Sequence, residues 1–381
     1  MIIAINTRLL KPLQMEGIGV FTHQVLLKLI QRFPEHKFHL IYDHGDFSVI
    51  GEHSNVVHHR LFPPARRPWL FDWWFDYSLP RLLKKIKADI FVSPDGHGSL
   101  RCPCPQLTVI HDLNFVHFPQ YLPTKYAQYW NRHTPQIVRK ADRIATVSEF
   151  SKQDLIDTYS LSGNKIDVLC NGYSEEALPL EEAEKQNARN RFAKGKRYWV
   201  YVGSIHPRKN VQGMLAAFDQ FCQQSVSDID LVLVGTPLFD HAGAAQWIAG
   251  MRNAHRVHAT GRLEGALLYQ AIAGAEGLLL LSHYEGFGIP LVEAFACGVP
   301  VLTAQNSALQ EIGGKVVFYA NNHSVSDMTE QMKLFASEIQ RREKCVEGGW
   351  HRKEQYTWKK AAEGMWQSIL NTISDAQGQV E

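Results

Sequence analysis

Short apolar runs of strand length, each followed by a loop and a segment with helical spacing, recur along this chain and restrict it to an α/β fold built on parallel strands. Ile2–Asn6 opens the series, and Phe38–Tyr42, Ala88–Ser93, Gln106–His111, Arg143–Val147 and Lys165–Leu169 continue it. The turn dipeptide Asn171-Gly172 and the acidic run Glu175–Lys185 then interrupt the pattern. It restarts at Tyr198–Gly203 and passes through Asp230–Gly235, Val257–Gly261, Gly277–Ser282 and Val299–Thr303. A chain of 381 residues is longer than one hydrophobic core serves. The expected division is a first domain over 1–172, a second over 173–357, and a C-terminal segment over 358–381. In that last segment Ala361–Ile369 has helical spacing, and the polar tail from Ser374 is expected to be disordered.

The formal charge of +2 argues against a dedicated duplex-DNA binder, which needs a concentrated basic surface. Six cysteines, at 102, 104, 170, 222, 297 and 345, form no CxxC pair and no dense framework, so reduced thiols and a cytoplasmic protein are expected, without metal binding through them. The start MIIAINTRLL lacks a signal-peptide layout, and no uncharged run reaches the length of a membrane span.

The chemistry concentrates in Glu285–Pro300, EGFGIPLVEAFACGVP, between two apolar strands. Pro290 suits the first helical position and Gly298 the residue beyond the helix end, which puts Glu293 in the first turn and Glu285 in the preceding loop. The helix N-terminus, with N–H groups at Gly288, Ile289 and Leu291 expected to be free, favours an anion. A second anion-binding loop follows Tyr198–Gly203. There SIHPRKN places Arg208 and Lys209 before a helix over Val211–Cys222, where helix dipole and cations act together on a diphosphate. Exposed charges with no ligand are the plainer alternative.

Other features are less decisive. Gly17-Ile18-Gly19 reads as a loop before a helix over Val20–Ile30, a Rossmann-like opening in which Thr22 stands where the third glycine of GxGxxG belongs, so NAD binding is disfavoured. His111 ends a strand, where open α/β sheets place ligand groups, although a lone histidine there is more often structural. Residues 60–87 interleave Arg66, Arg67, Arg81, Lys84, Lys85 and Lys87 with Trp69, Phe71, Trp73, Trp74 and Phe75. This stretch reads as a core helix with aromatics inward and a basic solvated end, or as a membrane-surface or lipid-acceptor patch. Asp228-Ile229-Asp230 matches a DxD metal pair formally, but two acids leading into a strand are usually a solvated turn.

Four segments, VIHDLNFVHFPQYLP, ATVSEFS, YVGSIHPRKN and EGFGIPLVEAFACGVPV, together resemble the retaining nucleotide-sugar glycosyltransferases of family 4, and the likeness covers nearly the whole chain. It implies a GT-B fold: two Rossmann-like domains with the active site between them and a C-terminal helix crossing back to the first. It also implies that Glu285 lies beside the donor sugar, that Glu293 binds the nucleotide ribose, and that the backbone of Gly286, Phe287, Gly288 and Ile289 meets sugar and phosphates. Arg208 and Lys209 would bind the diphosphate, His111 would stand near the reacting sugar, and Gly19 would belong to the N-terminal donor loop. Ser204 stands where family members often carry arginine.

The expected reaction is metal-independent transfer of a hexose, first of all mannose from GDP-mannose, to a glycan or lipid-linked acceptor in bacterial surface-polysaccharide assembly. No cofactor, metal or nucleic acid is expected. The expected location is cytoplasmic, with peripheral contact to the inner membrane face through 60–87. A sugar-nucleotide epimerase on the same fold, a two-carboxylate glycoside hydrolase and a catalytically inactive nucleotide-binding scaffold remain as alternatives.

Overall fold

Among the described residues every ladder between strands is parallel, and the strands form two separate sheets. The computed structural model describes residues 1–10, 15–44, 50–65, 67–237 and 243–378. They fall into two compact units, Met1–Gly172 with Thr357–Glu381, and Tyr173–Tyr356.

The first unit holds β1 (Ile2–Asn6), β2 (Lys37–Tyr42), β3 (Val56–Arg60), β4 (Ile90–Ser93), β5 (Gln106–Val109), β6 (Arg143–Thr146) and β7 (Ile166–Val168), in the order β3-β2-β1-β4-β5-β6-β7. The second holds β8 (Tyr198–Val202), β9 (Asp230–Val234), β10 (Val257–Gly261), β11 (Gly277–Leu280), β12 (Val301–Ala304) and β13 (Phe318–Ala320), in the order β10-β9-β8-β11-β12-β13. In each sheet the strand order reverses beside the unit's first strand, between β1 and β4 and between β8 and β11. This is the doubly wound Rossmann arrangement, and its ligand crevice opens at that reversal. Helices cover both faces of such a sheet, so the central strands β4, β5, β8, β9, β11 and β12 are buried at every residue and read as continuous apolar runs.

The edge strands β3 and β13 were not expected. β3 reads VVHHR and is largely solvent-facing, so it has no apolar run to reveal it, and β13 is only three residues long. Four helices of the second unit, Ala244–Ala249, Ser307–Gly313, Val325–Ser337 and Ile339–Arg352, also went unread.

Three further expectations need correction. The first helix begins at Gly17, so Gly17 and Gly19 lie in its first turn and not in a loop. Gly19 packs closely there, since a Cβ on it would sit 3.0 Å from the Leu9 carbonyl oxygen. Residues 11–14 of the preceding segment, and Arg66 of the basic aromatic stretch, lie outside the described residues.

Second, the C-terminal helix runs over Trp358–Gly378, well past Ser374, because tertiary contacts hold it to its own unit. Trp366 stacks on Phe33 with ring centroids 3.8 Å apart, Ser368 Oγ donates to Asp167 at 2.7 Å, and Arg143 pairs with both Asp167 and Asp375 at 2.6 Å. The chain leaves this unit at Gly172 and returns at Thr357. A Cβ on Gly172 would lie 2.2 Å from the Trp358 nitrogen, so glycine is required where the two passes cross.

Third, the aromatic stretch turns only part of itself inward. It forms a helix over Pro68–Trp73, a wide π turn over Trp74–Ser78 and a helix over Leu79–Ile86. Phe71, Trp74, Phe75, Leu79 and Leu83 join the core with Ala4, Ile41 and Phe91, while Trp69, Trp73 and Tyr77 face out.

Candidate functional site

At the strand reversal of the second unit, the loops after β8 and β11 bring three sequence-selected residues into contact. Lys209 Nζ lies 2.6 Å and Arg208 Nη1 3.1 Å from the two carboxylate oxygens of Glu285. The loop after β8 is shaped by a 3₁₀ turn, Pro207–Lys209, with the His206 ring accepting a hydrogen bond from the Arg208 N–H at 3.3 Å. Asn210 follows in the left-handed region, which asparagine tolerates better than most residues. Its Nδ2 donates to the carbonyls of Leu281 (3.1 Å) and Asn322 (2.9 Å), fastening this loop to those after β11 and β13.

The Glu285 loop is anchored equally well. Ser282 Oγ donates to Glu285 at 2.7 Å, Ser307 Oγ accepts from the Glu285 N–H at 3.1 Å, and Arg208 Nη1 also donates to the Tyr284 carbonyl at 2.7 Å. Ser282 and Ser307 went unread as site residues. Ser282 closes the apolar run three places before Glu285, which is a usable signal, whereas nothing local marks Ser307.

Glu285 is buried. Burial alone would raise its pKa, but Lys209 first and Arg208 next more than offset that and draw it down to about 2. The trio is thus a fixed anion between two fixed cations, with one net positive charge. Arg208 and Lys209 keep 18% and 14% of their side chains in contact with solvent, so that charge is reachable from outside.

The helix after this loop spans Ile289–Ala296, capped by Gly288 at φ +99°. A Cβ on Gly288 would also meet Leu309 Cδ2 at 2.8 Å, so the residue is held by conformation and space together. Pro290 is the second helical residue, one place later than its preference suggested, and Glu293 consequently sits in the second turn. The Leu291 N–H donates to the Gly288 carbonyl at 3.0 Å, so that group is occupied and not free. Phe287 turns inward, its ring edge-on to Tyr356 at 5.5 Å, so its side chain belongs to the core.

Glu293 pairs with Tyr269, whose hydroxyl donates to it at 3.2 Å. Burial lifts its pKa to about 7, with the Tyr269 bond opposing. Two glutamates seven residues apart in the gap between them thus occupy opposite environments: one always ionised, the other titrating near neutrality. Tyr269 lies on the helix Ala266–Ala273 but carries no sequence signal for this role.

His111 and Gly19 belong to the first unit. His111 Nε2 donates to the Pro94 carbonyl at 2.9 Å, which fixes the tautomer, since a carbonyl only accepts. The Phe21 ring packs edge-on against the imidazole at 5.0 Å, linking it to the helix that carries Gly19. Burial lowers the His111 pKa against the opposing pull of the Pro94 bond and Asp112, so the ring is neutral with Nδ1 as an acceptor.

The DxD match dissolves in the structure. Asp230 is buried against Arg256 (3.2 Å) and His258 (2.8 Å), whereas Asp228 is exposed, so the two do not act as a pair.

Comparison with known proteins adds the following. Residues 15–177 match the family described as Glycosyltransferase Family 4, and residues 182–352 the family described as Glycosyl transferases group 1. The chain is 24% identical over 302 residues to the O-antigen chain mannosyltransferase B of Escherichia coli, covering 79% of this chain and 76% of that protein. It is 25% identical over 222 residues to the O-antigen chain mannosyltransferase RfbU of Salmonella typhimurium, covering 57% and 56% respectively. Among solved structures it is similar to the sucrose-phosphate synthase of Thermosynechococcus elongatus (TM-score 0.77, 16% identity, 98% of this chain and 99% of that one). It is also similar to Anabaena HepE in complex with UDP and glucose (TM-score 0.76, 15% identity, 97% and 100%). These likenesses identify the fold as GT-B.

Proposed function

Because the chain belongs to the glycosyltransferases of family 4, group 1, we propose that it is a retaining hexosyltransferase that moves a sugar from a nucleoside diphosphate to a glycan or lipid-linked acceptor without a metal ion. The observation that carries this reading is the trio Arg208–Lys209–Glu285 at the strand reversal of the second sheet. When a sugar leaves a nucleoside diphosphate, negative charge grows on the β-phosphate. Preorganised cations stabilise that charge without reorganising, which is where enzymes of this kind gain most of their rate. Arg208 and Lys209 supply the cations, and the N-terminus of the helix Ile289–Ala296 adds backbone dipole in the same loop.

Glu285 stays ionised because of those cations, and its place is beside the sugar, where it accepts hydrogen bonds from hydroxyl groups and holds Arg208 and Lys209 in register. Glu293 binds the ribose hydroxyls. Neutral His111, with Nδ1 as an acceptor, takes a hydrogen bond from the reacting sugar, and the chain around Gly19 borders the donor. Retention follows from attack on the same face that the diphosphate leaves, the departing phosphate accepting the acceptor's proton.

Mannose from GDP-mannose is the first donor to test, because two relatives are named as mannosyltransferases. A UDP-hexose is the second, because HepE is described with UDP and glucose.

A thermal-shift panel of nucleoside diphosphates tests the donor directly, since a ligand that binds only the native state raises the melting temperature by mass action. GDP or UDP is expected to raise it. The matching nucleotide sugar, given with chelator and no acceptor, should then release nucleotide slowly. An epimerised nucleotide sugar would replace this reading with an isomerase. Stabilisation by a nucleoside diphosphate with no turnover of any nucleotide sugar would replace it with an inactive nucleotide-binding scaffold.

A further inference from the structure

The sugar-transfer site makes no use of the outer face of residues 68–86. A helix with one face in the core normally turns polar side chains to water, and this one does not. Trp69, Trp73 and Tyr77 are 63%, 52% and 36% exposed, and the spacing 69, 73, 77 sets them on one face, with the Trp73 and Tyr77 rings stacked at 5.1 Å. Phe62, 76% exposed, is held beside them because Ser78 Oγ donates to its carbonyl at 2.9 Å. Of the five aromatic side chains most exposed among the described residues, four are these and only Trp350 lies elsewhere, so this is a patch and not scatter.

Positive charge continues the face. Arg81 donates to the Tyr77 carbonyl at 3.1 Å, the Arg101 guanidinium lies 4.5 Å over the Tyr77 ring, and Lys84 and Lys85 are exposed on the next turn. The two carboxylates of the stretch do not cancel it. Asp72 faces His133 (3.2 Å) and Arg132 (3.6 Å), and Asp76 accepts from the Leu100 N–H (2.7 Å) and Ser99 Oγ (3.3 Å).

We propose that this face docks on the surface of a bilayer containing anionic phospholipid, with Phe62, Trp69, Trp73 and Tyr77 at headgroup level and Arg81, Lys84 and Lys85 on the lipid phosphates. Indole and phenol rings have an apolar body and a polar edge and settle at that depth, while the cations draw on the negative surface potential. Charge complementarity selects an anionic surface over a neutral one. A nucleic acid fits less well, since the chain's net charge of +2 supplies little field for a polyanion. Among the described residues no helix is long and apolar enough to cross a membrane, so the contact is peripheral. The proposal does not depend on the sugar-transfer reading.

Co-sedimentation of the full chain with vesicles tests it. Binding is expected to phosphatidylcholine vesicles containing about one-third phosphatidylglycerol, weak binding to phosphatidylcholine alone, and release by salt. The double variants Trp69→Ser/Trp73→Ser and Lys84→Glu/Lys85→Glu should each lower the vesicle partition coefficient by at least about tenfold with unchanged melting temperature, since these side chains stand outside the core. Equal binding of wild type and variants would overturn the proposal. So would no binding to either vesicle, binding of a short DNA duplex in place of vesicles, or a dimer that Trp69→Ser/Trp73→Ser dissociates. If either variant fails to fold, headgroup-proximal brominated lipid decides with the unsubstituted protein: quenched tryptophan fluorescence supports the proposal and unquenched fluorescence ends it.

Discussion

The two sheets reverse their strand order at equivalent places, and each reversal carries a carboxylate with basic partners, yet the two clusters have opposite exposure. In the first unit Arg8, just past β1, pairs at 3.3 Å with Asp95, just past β4, and His97 stands 3.3 Å from the same carboxylate. Those side chains are 6%, 2% and 7% exposed, and Phe71, Trp74 and Phe75 crowd the Arg8 guanidinium. Arg8 Nε, His97 Nε2 and Trp74 Nε1 have no hydrogen-bond partner among the described residues. In the second unit Glu285 is as deeply set, but Arg208 and Lys209 reach solvent. The same topology thus makes a sealed ionic core in one half and an accessible charged crevice in the other. Sealed charge holds structure, since removing one partner strands the others in a low dielectric. Accessible charge can trade partners with a ligand.

Removing Asp95 is the most severe test of that contrast. Asp95→Ala should cost about 3–5 kcal/mol of stability by leaving Arg8 unpaired, with nucleotide affinity unchanged in the folded fraction. Denaturant melts and nucleotide titration measure both, and a stable variant would mean that the sealed cluster is not structural. The reverse pattern is expected at the open site: Glu285→Gln should slow donor turnover by about 100-fold or more while nucleotide affinity stays within a fewfold. Turnover close to wild type would remove Glu285 from the machinery.

A third effect contrasts the two glutamates within the open half. Glu293 holds its proton up to a pH of about 7 in the native state, against 4.5 ordinarily, so the native protein binds more protons between those values. That contribution is complete below pH 4.5 and is lost as pH rises through 7, by about 3 kcal/mol in all. Glu285, depressed to about 2, acts oppositely: its contribution is present above pH 4.5 and is lost as pH falls toward 2. Glu293→Gln should therefore flatten the stability profile between pH 5 and 8. In the unsubstituted protein nucleotide affinity should rise through pH 7 as the carboxylate proposed to accept ribose hydroxyls forms; a flat affinity profile would separate Glu293 from the ribose. The smallest effect comes from a helix cap in the first unit, one hydroxyl removed from the His111 carbonyl. Ser148 Oγ accepts from the Ser151 N–H at 3.0 Å and caps the helix Glu149–Tyr159, so Ser148→Ala should cost about 1 kcal/mol and leave nucleotide binding unaltered.

Much of this molecule was legible in its residues, because much of it is local. Buried parallel strands announce themselves as apolar runs, helix bounds follow capping and glycine chemistry, and Arg208, Lys209 and Glu285 each lie in a loop directly after such a run. What escaped has no local mark. The exposed edge β3, the split of the aromatic stretch into inward rings and outward Trp69 and Trp73, and the helix past Ser374 all depend on which surfaces neighbours cover. So does the first unit's ionic core: Arg8 and Asp95 are 87 positions apart and meet only because β1 and β4 pair. The chain alone therefore determined two βα halves with an acidic loop and a basic loop in the second. Tertiary structure alone decided which charges are sealed, which of two glutamates titrates near neutrality, and which aromatics face water. Desolvation and pairing are properties of packed neighbours, and those neighbours are assembled from segments far apart in the chain.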